Sequence, residues 1–128
     1  MHGDETMLRT GYEAFGKGDL ATLQMLFAPD VVWYEPGRSP ISGTYKGWSE
    51  VIGLFAAYAE RSGGTFAAEL EDVLASDDRA ISIARVSGSR DGHQLDQGDH
   101  LLCRIVDGRI AEARVLYHDQ HAVDAFWA

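Results

Sequence analysis

Apolar residues recur along this chain with two different periods, and the change of period falls near Thr65. Before it the spacing is helical. Leu8, Tyr12 and Phe15 follow an acidic start at Asp4-Glu5-Thr6, and Gly16-Lys17-Gly18 supplies a stop. Asp19 can cap a second, short helix carrying Leu20, Leu23, Leu26 and Phe27, which Pro29 closes, so the two form a helical hairpin. After the break at Ala28-Pro29-Asp30, the run Val31 to Glu35 is rich in β-branched and aromatic residues and predicts a strand. Pro36 ends it, having no N–H for a further ladder bond. Gly37 to Gly43 reads as a loop. Tyr45-Lys46-Gly47-Trp48 then leads into a third helix, whose Val51, Leu54, Phe55 and Tyr58 share one face before Gly63-Gly64 stops it.

Beyond Thr65 the period is that of strands, with runs at about 65–75, 80–88, 94–106 and 109–118. Turn chemistry separates them. Ser76-Asp77-Asp78 and Arg90-Asp91-Gly92 are hairpin candidates, and Asp107-Gly108 is a strong two-residue type I′ signal. The tail from Asp119, with Ala122, Val123, Phe126 and Trp127, fits either a last helical turn or an extended cover over an open end. Helices in front and an antiparallel meander behind predict an α+β fold in one domain, residues 1–128. A strongly curved sheet wrapped over the third helix would leave a conical interior, the kind of concave apolar space where small ligands bind.

Charge narrows the partners. Lys and Arg number 11 against 20 Asp and Glu, a net charge of -9, and the arginines are scattered. Such a field repels phosphates and anionic membrane surfaces, so nucleic acid and membrane are excluded as partners and a small apolar or aromatic ligand is expected. Cys103 is the only cysteine. Its alternation with Leu101 and Ile105 marks it as a buried strand residue, and with no disulfide possible a reducing, cytoplasmic setting is expected. The polar, acidic N-terminal stretch is unlike a signal peptide. The longest nearly unbroken apolar run, Val51 to Ala59, has nine residues, whereas a bilayer span takes about 20.

Candidate chemistry centres on Glu35. Alternation puts Val31, Trp33 and Glu35 on one face, and a carboxyl held against Trp33 in the interior would titrate high enough to serve as a base near neutral pH. Asp99 and His100 are adjacent on the third strand of the meander, on opposite faces, so one of them can point inward. Trp33, Trp48, Tyr45 and Tyr58 are candidate cavity walls. His118-Asp119-Gln120-His121, with His93, lacks the spacing of a metal framework and reads as a polar tail segment, so no metal and no cofactor is expected. No phosphate loop, dinucleotide fingerprint or nucleophile elbow occurs.

The segments Tyr12-Glu13-Ala14-Phe15, Gly18-Asp19-Leu20, Phe27 to Asp30, Trp33, Glu35-Pro36, Gly43 to Gly47, Asp107 to Ile110 and Tyr117-His118-Asp119 together carry a resemblance. The chain resembles the SnoaL-like branch of the nuclear-transport-factor-2-like superfamily. The resemblance implies a cone-shaped α+β barrel, a pocket at its open end and a homodimer formed through the outer sheet face. It is similar to ketosteroid isomerase around Glu35-Pro36, where that family has an Asp-Pro whose carboxylate shuttles a proton. The resemblance therefore implies that Glu35 is the base and that Tyr117 lines the pocket. It departs where the family's oxyanion-binding tyrosine and aspartic acid fall, on Gly11 and Leu101. Tyr12 is one residue off, rotated by about 100° around a helix, and its ring is expected to point elsewhere. Asp99 lies on the same strand face as Leu101.

The reading favoured by the sequence is an isomerase-like or cyclase-like enzyme of acid–base chemistry on an apolar, ring-containing carbonyl compound. Glu35 is its base, Asp99 or His100 with Tyr117 its hydrogen-bond donors, and Trp33 with Trp48 its walls. The alternatives are a non-catalytic ligand-binding or scaffold protein of the same fold and, after it, an epoxide-hydrolase-like enzyme using Arg85 or Arg114 with Asp99 and Asp119.

Overall fold

A computed structural model describes residues 3–128; Met1 and His2, at the head of the polar N-terminal stretch, lie outside the described residues. The elements run α1 (Gly3–Lys17), α2 (Leu20–Leu26), β1 (Phe27–Glu35), β2 (Gly43–Lys46), α3 (Trp48–Arg61), β3 (Ala67–Ala75), β4 (Arg79–Arg90), β5 (His93–Val106), β6 (Arg109–Tyr117) and α4 (Gln120–Trp127). The six strands form one curved, open sheet in the order β2-β1-β6-β5-β4-β3. Every pairing is antiparallel except β1 with β6, which is parallel.

Local chemistry explains most boundaries. Asp19 caps α2, its carboxylate accepting from the Thr22 N–H at 3.1 Å, and Gly18 takes the left-handed turn between the helices with φ +67°. Asp91-Gly92 and Asp107-Gly108 have φ values of +49°, +81°, +51° and +76°, as type I′ hairpins require.

Two features differ from the sequence reading, and a third decides between alternatives it left open. Phe27 is not the last residue of α2 but the start of β1, which passes through Pro29. The proline costs no ladder bond because the register jumps from Phe27–Ile110 to Val32–Glu112, leaving the residues between them outside the β6 pairing. Gly43–Lys46, read as loop and lead-in, is the edge strand β2, too short to show alternation. The tail resolves as helix α4, capped by Asp119, whose carboxylate accepts from the Ala122 N–H at 3.1 Å.

The inner face of the sheet packs on α1 and α3. Val31, Trp33 and Glu35 all point inward from β1, and Cys103 is fully buried on β5. Pro36 and the loop after it are latched to α4: the Gln120 amide donates to the Pro36 carbonyl at 3.3 Å and the Arg38 N–H to Asp124 at 3.1 Å. None of the described helices is long and apolar enough to cross a membrane.

Candidate functional site

A cavity of about 80 Å³ opens between α1 and the inner sheet face. Leu8, Gly11, Tyr12 and Phe15 contribute the α1 wall, Phe27 and Trp33 come from β1, and Phe55 and Tyr58 from α3. Phe66, Val86, Leu101, Ile110 and Val115 add to an overwhelmingly apolar lining. The polar groups on it are few: Tyr12, Tyr58, Asp99 and Tyr117.

Asp99 is the carboxyl that meets this cavity. It is 7% exposed, and its Oδ1 is buried with no hydrogen-bond partner among the described residues. Burial pushes its pKa up to about 6, the nearby His100 pulling weakly the other way. His100, its neighbour on β5, does not reach the cavity. Strand alternation turns its ring to the outer face, where Nδ1 lies 3.2 Å from the Ser82 carbonyl.

Glu35 is buried, 4% exposed, but it is not part of the cavity wall. Oε1 accepts from the Trp33 indole N–H at 3.2 Å and from the Tyr58 hydroxyl, and Oε2 accepts from the Tyr117 hydroxyl. Both oxygens are thus engaged behind two phenols whose rings face the ligand space, which displaces Glu35 from the position of a base touching substrate. Burial pushes its pKa up, and the hydrogen bonds from Tyr117, Tyr58 and Trp33 pull it down. The phenols of Tyr58 and Tyr117 lie well above their usual range because they are buried, with the Glu35 charge beside them adding to the shift.

Tyr12 was expected to point away and does not. Leu8, Gly11, Tyr12 and Phe15 are spaced as one helical face, broad enough to turn both Gly11 and Tyr12 to the cavity. The Tyr12 hydroxyl lies 2.6 Å from Ser82 Oγ. Ser82 Oγ also accepts the Leu101 N–H at 3.0 Å. Either hydroxyl can donate in this pair; when Ser82 donates, the Tyr12 O–H is free to donate into the cavity. The sequence signal for Ser82 was a serine flanked at alternate positions by Ala80 and Ala84, an inward row of small residues that makes room for a ring. Trp48 and Tyr45 lie outside the lining. Trp48 stacks on Phe27 at 5.2 Å and Tyr45 donates to the Ile41 carbonyl at 2.6 Å. The arginines of the hydrolase reading are turned away too, Arg85 pairing with Asp96 at 2.9 Å and Arg114 lying over the Tyr34 ring at 4.1 Å.

A curved, open sheet wrapped on helices is the nuclear-transport-factor-2-like, cystatin-like architecture. The SnoaL-like domain matches residues 8–113, and the chain belongs to that family. Bal32a, from a soil-derived mobile gene cassette, superposes with a TM-score of 0.96 at 39% identity, covering 98% of this chain and 97% of that one. A Xanthomonas campestris protein of unknown function with a cystatin-like fold gives 0.92 at 36% identity, covering 100% and 99%. An uncharacterised protein of Mycobacterium bovis is 36% identical over 126 residues, 98% of this chain and 96% of the relative. TerC, co-crystallised with polyporic acid, shares the fold at 18% identity, with a TM-score of 0.85 over 98% of both chains.

Proposed function

We propose that the cavity binds a small, apolar, ring-containing carbonyl compound and that the chain moves a proton on it with its own side chains, as an isomerase or cyclase does. One observation carries this reading: a buried carboxyl, Asp99, one of whose oxygens has no hydrogen-bond partner among the described residues, lines an aromatic cavity. A carboxyl with a pKa of about 6 is mostly ionised at neutral pH yet gives its proton back readily, as general acid–base work demands. In the proposed step Asp99 takes a proton from a carbon beside the carbonyl. The C–H electron pair moves into the enolate, whose oxygen accepts a hydrogen bond from Tyr12. The protonated Asp99 then returns the proton to a different atom of the conjugated system.

Glu35 positions Tyr58 and Tyr117, which wall the ring, and Trp33 and Phe27 exclude water. Solved structures of the same fold include proteins described as polyketide cyclases, which supports the class of chemistry.

The test starts with a thermal-shift screen of phenols, steroids, terpenoids and aromatic polyketides. A ligand at about 100 times its Kd stabilises by about 2.7 kcal/mol. For a compound that binds and is turned over, Asp99→Asn should cost about a hundredfold or more in kcat, with little change in affinity. Glu35→Gln should cost less, by disturbing the two phenols. Undiminished turnover by Asp99→Asn would overturn the assignment. Binding without turnover by the unaltered chain would instead support the non-catalytic reading.

A further inference from the structure

On the outer side of the sheet, away from the cavity, two histidines far apart in the sequence meet. Their Nε2 atoms are 3.1 Å apart, and the rings lie 5.1 Å between centroids. The Ser82 carbonyl can only accept, so the His100 Nδ1 beside it carries the hydrogen and a neutral His100 presents an Nε2 lone pair, which accepts the His118 Nε2–H. A backbone carbonyl on the far nitrogen is how metal-binding histidines are usually oriented.

His118 is held as firmly. Its N–H donates to the Gly98 carbonyl at 3.1 Å, and the Gln97 side chain grips the next residue from both sides. The Gln97 amide donates to the Asp119 carbonyl at 3.1 Å and accepts the Asp119 N–H at 2.9 Å. The His118 ring lies over Gly98, where a Cβ would come within 2.3 Å of Cε1, 2.6 Å of Nδ1 and 2.9 Å of Nε2. Glycine at position 98 has a backbone that needs no special freedom. What it supplies is the space the ring occupies.

We propose that His100 and His118 form a clip for a divalent first-row transition ion, with both Nε2 atoms as ligands and water in the remaining positions. Metal–imidazole bonds of about 2.0–2.1 Å put two ligand nitrogens about 3.3 Å apart at a tetrahedral angle and about 2.9 Å apart at a right angle. The 3.1 Å separation lies between the two. Binding needs no net loss of a proton, because His118 can carry its hydrogen on Nδ1 instead of Nε2. No group of three or more His, Cys, Asp and Glu placed to hold a metal ion occurs among the described residues, so the ion keeps open positions and copper(II) outranks nickel(II) and zinc(II), as imidazole sites generally do.

The experiment is titration of the full-length chain with copper(II), nickel(II) and zinc(II) in a non-chelating buffer, with electron paramagnetic resonance on the copper form. His2→Ala is the background throughout, so that this further imidazole adds no copper ligand of its own. The expected result is one copper per chain with two equatorial imidazole nitrogens. His100→Ala and His118→Ala should each weaken binding by no less than the roughly 10–100-fold that loss of an outer partner costs, whereas His93→Ala and His121→Ala should leave it unchanged. Gly98→Ala keeps both histidines but displaces the His118 ring, and it should weaken copper as His118→Ala does. The proposal is overturned by binding that survives His118→Ala or Gly98→Ala in a chain still folded by circular dichroism. It is equally overturned if no copper binds, or by a spectrum with fewer than two imidazole nitrogens.

Discussion

Asp99 gains nothing in stability from its present form. Its carboxyl titrates near 6 in the folded chain against 3.8 for the free side chain. A raised folded pKa means that the folded state holds the proton more tightly, so the associated stability is fully present below pH 4 and is lost as pH rises through 6. The difference corresponds to up to about 3 kcal/mol, at about 1.4 kcal/mol per unit. Asp99→Asn should therefore be more stable than the unaltered chain at pH 7 in urea unfolding, with the gap closing by pH 4. An Asn variant that is no more stable at pH 7 would mean that water already satisfies this carboxyl. A destabilising group retained in a cavity is what a working site looks like, since sites give up stability for function. Cys103 shows the contrast: burial lifts its thiol to about 12 and leaves it inert packing.

Among elements, the contact between α4 and the loop after β1 is the least forgiving. Gly37 has φ +98°, and a Cβ there would lie 2.2 Å from Asp124 Oδ1 and 2.3 Å from Gln120 Nε2. Gly37→Ala should cost about 1–3 kcal/mol for the backbone strain alone, and more if α4 must move. Chemical unfolding reads the cost, and a loss below half a kcal/mol would show that α4 is not latched there. The elements legible in the sequence were those with a long period and explicit punctuation: α1 and α3 by their apolar faces, α2 by Asp19, and the β5–β6 hairpin by Asp107-Gly108. β2 and α4 were not, because four residues show no alternation and a helix of eight residues at the tail has the same apolar pattern as an extended cover. At the site, the inward face of Val31, Trp33 and Glu35 could be read from alternation. That both Glu35 oxygens are taken by Trp33, Tyr58 and Tyr117 could not, since those partners come from two other elements as well as its own. Tyr12 escapes a residue-by-residue count, which treats a helix face as a line, whereas this face is wide enough for Gly11 and Tyr12 together.

Taken whole, the molecule has an inner sheet face sealed by helices and an outer face that is bare. Leu74, Leu102 and Leu116 are exposed there, and Leu74 and Leu102 flank Ile81 in one cross-strand row. A second copy of the chain is the partner that self-complementary symmetry favours for such a patch. Sedimentation should then show a dimer, reduced to single chains by Leu102→Asp; a monomeric unaltered chain would refute it. The ionic surface adds little to this contact, because pairs such as Arg85–Asp96 are exposed and screened by solvent.

The bond between the Trp33 indole and Glu35 has an optical side. An indole whose N–H rests on a carboxylate changes its emission when that carboxylate gains a proton or shifts, and Trp33 also forms part of the cavity wall. The site therefore carries its own fluorophore. With Trp48 and Trp127 replaced by phenylalanine, the charge state of the acid behind the two phenols becomes open to light alone, without a label.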